Sequence, residues 1–320
     1  MFGKSVRKQI LGLAIGAFSS AMTTAAMGQA YPVKPVTFID NITGGPPEVV
    51  KRAVFAKVKE NTGATFILEG RLGGGGANGL QAVRNAAPDG YTFGITYQSA
   101  LTLNPLVNPD IGIDPLNDFT PVSKSWVTGN IWLARTDHPA KDLRDLVAMA
   151  KAKPESVKIG VFGAGNRFFV AQLEEKTGAK FLQVPYKTTP DGMAAVLGGQ
   201  IDASFDSPAT ALGQKGRLKI ITYGADRRLT QAPDVPTSQE LYGIETVAWV
   251  GLIAPPKISA EHVNWVAREF NRAMRDPAVA QIMNDQMLIT VGNTPAEFAS
   301  QIRTEVEHNR ELVRRFPGIR

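Results

Sequence analysis

The sequence predicts an α/β protein with largely parallel sheets and two domains. In the N-terminal half, short apolar strands alternate with amphipathic helical stretches, a pattern typical of strands joined by helical crossovers. The predicted strands are Val36–Ile39, Thr65–Leu68 and Tyr91–Thr96, and the predicted helices are Glu48–Thr62 and Leu80–Ala86. A mature chain of about 290 residues exceeds one ordinary core, so two domains of about 100–150 residues are expected.

The first 30 residues have the order of a secretory signal peptide. Lys4, Arg7 and Lys8 precede the apolar run Ile10–Phe18, and small residues lead to Ala30, where cleavage is predicted. The alternative is a short membrane anchor, but the run is shorter than the ~18–20 residues of a spanning helix. We therefore expect export to the periplasm.

The composition excludes several classes of protein. The chain has no cysteine, which excludes disulfides, thiol nucleophiles and the cysteine-dependent lipid anchor of exported proteins. The leader holds three of the 35 Lys and Arg and none of the 29 Asp and Glu, so the mature chain is only mildly positive. That balance does not predict nucleic-acid binding, although it suits anionic ligands. We expect neither nucleic acid nor stable membrane insertion.

Two glycine-rich segments lie where predicted strands lead into predicted helices. The first is Asn41–Glu48, which contains Gly44-Gly45-Pro46, and the second is Gly73–Gly79. Glycine lets backbone N–H groups approach a ligand closely, and the start of a helix attracts anions. An ordinary turn and cap explains the first segment when it is taken alone. Because parallel strands end at one edge of a sheet, the two segments together predict an anion site.

The second segment contains a G-x-G-x-x-G spacing at Gly74, Gly76 and Gly79, but a dinucleotide site is not predicted. Such a site follows the first strand and has an acidic residue ~20 positions later. Here the glycines follow the second predicted strand, and Ser99 and Ala100 stand at that distance. No Walker lysine follows the glycines either. We expect no cofactor.

Catalytic and metal-binding patterns are missing as well. The three histidines, His138, His262 and His308, have no metal-ligand spacing, and no G-x-S-x-G elbow occurs. Paired carboxylates such as Glu174 and Glu175 fall in helical contexts that usually face solvent. The expectation is a protein that binds a ligand without a metal and without catalysis.

A series of short sequence motifs, in a fixed order along the chain, resembles that of the substrate-binding proteins of tripartite tricarboxylate transporters, also called the Bug receptors. The motifs cover essentially the whole mature chain and are specific as an ordered set. They are Gly44-Gly45-Pro46, Gly73–Gly79, Ala87–Thr92, Asn104-Pro105, Asp118–Val122, Val184–Lys187, Leu197–Asp202, Phe205-Asp206, Ala232–Thr237, Trp249–Pro255, Asp276-Pro277 and Thr294–Phe298.

The resemblance implies a two-lobed periplasmic binding protein of type II-like fold whose lobes close over a small carboxylate. Each lobe would be a mixed, mainly parallel sheet flanked by helices, and two crossover segments would join the lobes. The implied division is a signal peptide at 1–30, lobe one at 31–130 plus 251–320, and lobe two at 131–250. The implied partners are the ligand and the large and small membrane subunits of a transporter, with the receptor itself a monomer.

The resemblance also implies which residues bind the ligand. In lobe one, two glycine loops would hold a carboxylate through backbone N–H groups and ordered waters. Their residues are Thr43, Gly44, Gly45, Pro46, Gly75, Gly76, Ala77, Asn78 and Gly79. In lobe two, the helix starts at Gly163–Asn166 and Thr188–Pro190 and the strand end at Asp206 would close on the ligand.

Three residues of lobe two bear on ligand identity. Arg167 and Phe168 follow Asn166, where the family usually has small hydroxyl residues. Arg167 could bind a second carboxylate through two parallel hydrogen bonds, and Phe168 could contact the ligand with its aromatic face. Such contacts would indicate a dicarboxylate ligand, aromatic or aliphatic. Alternatively, Arg167 is a solvated cap residue and Phe168 is core. Asp206 either orients donors and reads a ligand hydroxyl or amine, or it caps the following helix.

The sequence leaves three functions open. The first is a receptor that delivers a carboxylate to a membrane transporter, and the second is a sensor that presents the carboxylate to a signalling kinase. An exported enzyme is a remote third. The sequence does not distinguish the receptor from the sensor, because both functions use one closed, liganded conformation.

Overall fold

The computed structural model describes residues 31–41, 45–214, 216–225, 227–229 and 232–319. The predicted signal peptide lies outside the described residues, as do Thr43 and Gly44 of the first glycine loop. Gly45 and Pro46 are described only as the first backbone positions of a helix. None of the described helices is long and apolar enough to cross a membrane.

The described residues form strands of four to ten residues and one of two, arranged in two sheets. In chain order the strands are β1 Val36–Asp40, β2 Phe66–Gly70, β3 Thr92–Tyr97, β4 Thr120–Gly129, β5 Ile131–Arg135, β6 Lys158–Val161, β7 Leu182–Pro185, β8 Ala203–Asp206, β9 Leu218–Tyr223, β10 Val247–Ala254 and β11 Ile289–Thr290. The first sheet has the order β11-β4-β10-β3-β1-β2 and the second has the order β7-β6-β8-β5-β9.

Helices flank both sheets and supply most of the connections. They are α1 Gly45–Thr62, α2 Ala77–Arg84, α3 Asn104–Val107, α4 Leu143–Ala152, α5 Gly163–Thr177, α6 Thr189–Leu197, α7 Pro208–Gly213, α8 Ser238–Tyr242, α9 Ala260–Met274, α10 Pro277–Asp285 and α11 Pro295–Arg315. Short 3-10 turns occur at Gly74–Gly76 and Pro109–Ile111, and Ser99–Leu103 forms one wide, π-type turn.

Each sheet mixes parallel and antiparallel strands. In the first sheet β1 pairs in parallel with β2 and β3, whereas β10 runs antiparallel to β3 and β4. In the second sheet β6 runs parallel to β7 and β8, and β5 runs antiparallel to β8 and β9. The predicted α/β class with mixed, helix-flanked sheets is confirmed. The sheets are less parallel than expected, because four pairings of the described strands are parallel and five are antiparallel.

The chain passes between the sheets twice. It leaves the first sheet at Gly129, enters the second at Ile131, and returns along β10 from Val247. Gly129 packs so closely on the ring of Tyr223 that a Cβ has no room, and its N–H donates to the Tyr223 hydroxyl at 3.1 Å. Below, lobe one means the first sheet with α1–α3 and α9–α11, and lobe two means the second sheet with α4–α8.

Each sheet has its own buried apolar core. In lobe one, Phe38 stacks within 5.6 Å of Phe93 and contacts the rings on α1 and α9. In lobe two, Trp132 lies edge-on to Phe169 and Phe205 at 5.5 and 4.9 Å. Both cores nevertheless belong to one compact unit, Pro32–Arg320, so the predicted boundaries of two separately moving domains stay a prediction.

Both helices predicted beside the glycine segments begin three residues earlier than expected. The helix expected from Glu48 starts at Gly45, and the one expected from Leu80 starts at Ala77. Proline suits the first turn of a helix because its missing N–H has no intrahelical partner there. The glycine segments therefore run directly into helix starts, the position in a helix that favours anions.

Candidate functional site

The glycine run before α2 forms a tight turn that only glycine adopts at low cost. The φ angles of Gly73, Gly74, Gly75 and Gly76 are 107°, 58°, 63° and 98°. Residues with a Cβ disfavour this left-handed region by about 1–2 kcal/mol each. The turn is closed by a hydrogen bond from the Gly76 N–H to the Gly73 carbonyl at 3.0 Å. Four consecutive glycines are therefore a requirement of the backbone path into α2.

Two side chains hold this turn from the carbonyl side. The Tyr97 hydroxyl and the Asn104 amide both donate to the Gly75 carbonyl, at 3.1 and 2.8 Å. Burial raises the pKa of Tyr97, which keeps its phenol protonated and able to donate. The Asn78 amide donates to the Leu72 carbonyl at 2.8 Å and ties the first turn of α2 back to the entering chain. The carbonyls are thus engaged within the protein.

The root of the first glycine loop lies beside this turn. A Cβ on Gly76 would stand 2.6 Å from Ala100 Cβ and 3.1 Å from Asn41 Nδ2, and one on Gly79 would stand 2.8 Å from Asn41 Cβ. Asn41 is buried, donates to Thr96 Oγ1 at 3.0 Å, and immediately precedes residues 42–44. The two glycine segments therefore start from one place, as the parallel strand order requires.

A fully buried ion pair anchors the same region. The Lys51 ammonium of α1 contacts the Asp40 carboxylate at the end of β1, and Glu48 Oε2 lies 3.6 Å from Lys51 Nζ. The side chains of Lys51 and Asp40 are at most 1% exposed. A buried charge that loses its partner costs several kcal/mol, so this pair fixes α1 against β1 on either side of the first loop.

The helix starts differ in how their free N–H groups are satisfied. The first N–H groups of any helix have no intrahelical acceptor. Among helices of eight or more residues whose starts the structure describes, five have a side-chain cap. The caps are Asp142 for α4, Thr188 for α6, Ser259 for α9, Asp276 for α10 and Thr294 for α11. The other two, α2 and α5, have neither a side-chain cap nor an acidic residue in the first turn.

The start of α5 is the second uncapped helix start. Its Asn166 accepts a hydrogen bond from the Phe162 N–H at 3.1 Å, which fixes the Asn166 side chain in the first turn. Arg167 follows and is half-buried. A Cβ on Gly165 would lie 4.0 Å from Leu103 Cδ2, and Leu103 directly precedes Asn104, which holds Gly75. The chain segment 99–104 therefore brings the starts of α2 and α5 together across the two lobes.

Phe168 is not open to a ligand in this structure. Its side chain is 2% exposed and lies in an apolar cluster with Leu103 and Leu312 of lobe one. The neighbouring Phe169 is 1% exposed and packs on Trp132 in the core of lobe two. A ligand ring would reach Phe168 only after that cluster had opened, so the aromatic contact expected from the sequence has no support here.

Thr188 and Asp206 are both engaged by their own helix starts. The Thr188 hydroxyl donates to Asp191 Oδ2 at 2.7 Å, which places a carboxylate in the first turn of α6 and disfavours an anion there. Asp206 Oδ1 accepts from the Ser207 N–H at 2.6 Å as the chain turns into α7. Burial raises the pKa of Asp206, although hydrogen bonds from Ser207 and Thr210 oppose the shift.

Sequence reasoning did not single out Tyr97 or the role of Asn104 in holding the glycine turn. Tyr97 is the last residue of β3 and Asn104 begins α3. Tyr97 could have been identified from the sequence as a polar side chain at the end of a strand that lies next to a glycine loop. Within the described residues, no group of three or more His, Cys, Asp or Glu could hold a metal ion.

Comparisons with known proteins identify relatives of this chain. The family model described as "Tripartite tricarboxylate transporter family receptor" matches residues 50–317. The protein BugT of Bordetella pertussis is 28% identical over 94% of this chain and 95% of its own length.

Two solved structures extend the comparison to the fold. MatC from Rhodopseudomonas palustris, solved with bound malate, is 26% identical, with a TM-score of 0.75 over 88% of this chain and all of that one. The periplasmic binding protein BugD is 25% identical, with a TM-score of 0.76 over 90% of this chain and 99% of that one. The chain therefore belongs to the tripartite tricarboxylate transporter family of receptors and is a solute-binding protein, not an enzyme.

Proposed function

We propose that this receptor captures a small dicarboxylate in the periplasm and delivers it to a membrane transporter. The observation that carries the proposal is the pair of uncapped helix starts, α2 and α5, held on either side of segment 99–104. Each start lacks a side-chain cap for its first N–H groups and presents the positive end of a helix dipole. Two such starts, one in each lobe, suit a ligand with a negative charge at both ends.

One carboxylate is held by lobe one. The donors are backbone N–H groups of the turn and of the first turn of α2 other than those of Gly76 and Ala77, which already donate to the Gly73 and Gly74 carbonyls. Tyr97 and Asn104 hold the turn in place through the Gly75 carbonyl. The first glycine loop completes the site from its root at Asn41. The proposed residues are Thr43, Gly44, Gly45, Pro46, Gly75, Gly76, Ala77, Asn78 and Gly79.

The second carboxylate is held by the first turn of α5. Asn166 and the N–H groups of that turn donate, and Arg167 adds a charge-assisted pair of hydrogen bonds. Asp206 and Thr188, on the same lobe, face the middle of the ligand. At that position a hydroxyl on the ligand is a better partner for them than a negative charge on the ligand. The malate in the relative MatC has this chemistry. Because Phe168 is covered, we favour an aliphatic dicarboxylate over an aromatic one.

The setting of this function follows from the leader and from the family. The first 30 residues have the order of a cleaved signal peptide without a lipid anchor, and the relative BugD is a periplasmic binding protein. A tripartite family of transporters implies a receptor and two membrane subunits. We propose that a monomeric receptor presents the closed, liganded form to the large and small subunits.

A thermal-shift screen of the mature chain tests the ligand class. Ligand at a hundred times its Kd stabilises the folded state by about 2.7 kcal/mol, so true ligands stand out in a panel of mono-, di- and tricarboxylates, amino acids and sugars. We expect aliphatic dicarboxylates to give the largest shifts. Hits restricted to amino acids or sugars would overturn the proposal.

Calorimetry of Arg167→Ala tests the second carboxylate. Losing a charge-assisted contact of about 1.5–3 kcal/mol weakens binding of the best dicarboxylate roughly 10- to 150-fold. The matched control is Arg303→Ala, which removes an exposed arginine of α11 and should leave the affinity unchanged. Equal affinities of Arg167→Ala and the native protein would assign Arg167 to the solvated alternative.

A further inference from the structure

Helix α5 belongs to lobe two, yet one of its faces is covered by lobe one. Phe168 is buried against Leu103 and Leu312, and its ring centroid lies 6.4 Å from that of Phe316. Leu312 is on α11, which packs along β4 of the first sheet, and Phe316 ends that helix. This apolar contact joins the two lobes through side chains of the protein itself.

An ion pair makes a second contact on the same face of α5. Arg315 Nε donates to Glu175 Oε1 at 2.8 Å, and Arg315 Nη2 makes a parallel bond to Glu175 Oε2. Glu175 lies seven residues after Phe168, which is two helical turns, so both point to one side of the helix. We call Leu103, Leu312, Arg315 and Phe316 together with Phe168 and Glu175 the α5 clasp.

The clasp acts on the helix that starts the lobe-two site. Ala164, in the first turn of α5, belongs to the same apolar cluster as Phe168. A Cβ added to Gly165 would lie 4.0 Å from Leu103 Cδ2, and the neighbouring Asn104 holds the glycine turn of lobe one. A rigid helix held at Phe168 and Glu175 therefore presents Gly163–Asn166 to the glycine turn at a fixed distance.

We infer that the α5 clasp is a closure contact that works without ligand and positions the first turn of α5 over the lobe-one site. A receptor that is closed only part of the time binds with an apparent Kd equal to the intrinsic Kd divided by the closed fraction. Contacts that raise the closed fraction therefore tighten binding from outside the ligand site. The affinity part of this inference rests on the proposed function, whereas the closure part does not.

Closure is measured on the ligand-free protein by energy transfer between two dyes. The chain has no cysteine, so Lys59→Cys and Lys151→Cys, at exposed positions on α1 and α4, give specific labelling. We expect Phe316→Ala to shift the dye distances toward a more open, broader distribution. The conservative variant Phe316→Leu should restore most of the native distribution, because it keeps an apolar group against Phe168.

Charge reversal tests the ion pair of Arg315 and Glu175, because reversing both charges together restores the attraction that each single reversal removes. Arg315→Glu and Glu175→Arg, each alone, set like charges against each other and should open the protein. The double variant restores opposite charges and should return the distribution toward native, a coupling that a double-mutant cycle quantifies. The matched control is Arg314→Ala, which removes the neighbouring exposed arginine and should change neither closure nor affinity.

Affinity for the best dicarboxylate gives an independent readout. Couplings of this kind typically change affinity by 5- to 150-fold, and we expect roughly tenfold weaker binding for Phe316→Ala. Exposed pairs contribute less, so each charge reversal should weaken binding roughly two- to fivefold. The loss should appear mainly in the dissociation rate, because an opened clasp shortens the life of the closed complex.

The outcomes separate this inference from the proposed function. If Phe316→Ala and both charge reversals leave the ligand-free distances unchanged, the clasp does not set closure and the inference is wrong, whatever the ligand proves to be. If the distances open and no carboxylate binds, the closure device stands and the proposed function fails. If the distances open but affinity is unchanged, the clasp does not position the ligand-binding turn.

Discussion

Replacing Gly76 with alanine tests whether the glycine turn is built for close approach. Gly76 has a φ of 98°, and its added Cβ would lie 2.6 Å from Ala100 Cβ and 3.1 Å from Asn41 Nδ2. The left-handed backbone costs about 1–2 kcal/mol with a Cβ, and the overpacking adds about 1–3 kcal/mol. We therefore expect Gly76→Ala to lower the free energy of unfolding by about 2–5 kcal/mol, the sum of these two costs.

A second glycine separates backbone strain from the loss of space. Gly63 has a φ of 74° and no atom within 4 Å of its added Cβ. It follows the far end of α1, a helix about 27 Å long that begins at the site. Gly63→Ala should therefore cost only the backbone strain of about 1–2 kcal/mol and leave ligand affinity intact.

Urea denaturation and titration calorimetry provide the two readouts for this pair. Gly76→Ala should lose about 1–3 kcal/mol more stability than Gly63→Ala. The added Cβ would displace the segment 99–104, which also carries Asn104, the donor to the Gly75 carbonyl. Binding of the best dicarboxylate should therefore weaken more than tenfold in Gly76→Ala and not in Gly63→Ala. Equal losses of stability and equal affinities in the two variants would refute the close-approach reasoning.

Three further predictions concern groups around the site. Asn104→Ala removes one of two donors to the Gly75 carbonyl and should weaken dicarboxylate binding about five- to tenfold by calorimetry, a loss of about 1 kcal/mol or slightly more; unchanged affinity would contradict it. Burial raises the pKa of Glu305, against hydrogen bonds from Gln301 and Trp249, so its stabilisation is complete below the unfolded value of about 4.3 and is lost as pH rises through the folded pKa. In urea titrations, Glu305→Gln should therefore gain stability relative to the native chain as pH rises, and parallel curves would exclude this. Burial likewise raises the pKa of Asp206, so Asp206→Asn should tighten dicarboxylate binding about fivefold at pH 8 and by less as the pH falls, because only the ionised carboxylate repels a dianion; a pH-independent effect would count against Asp206 lying close to the ligand.

Local signals in the sequence were sufficient for much of the fold. Apolar periodicity located β1, β2 and β3 and the helices between them, because spacing along the chain decides these elements. Glycine and proline indicated the helix starts to within three residues, because their backbone preferences are also local. The antiparallel insertion of β10 between β3 and β4 depends on pairing across more than a hundred residues, which no local pattern records.

The site was predictable in its backbone and less so in its side chains. The glycine turn is visible in the sequence as four consecutive glycines. The donors to the Gly75 carbonyl, Tyr97 and Asn104, come from 22 and 29 residues away in the chain. Phe168 shows the same limit, because an apolar residue on α5 could face a ligand or another helix. Its partner Leu312 lies near the C-terminus, and only the tertiary structure shows that the two meet.

Titration calorimetry of a dicarboxylate against its diamide measures how much of the binding depends on the two charges of the ligand. The two ligands share length and shape and differ only in charge, and each charged contact is worth about 1.5–3 kcal/mol. We expect the best dicarboxylate of the screen to bind the mature chain with a stoichiometry of one. Its diamide should bind at least a hundredfold more weakly, which corresponds to about 2.7 kcal/mol. Equal affinity for the diamide would contradict a site made of two uncapped helix starts.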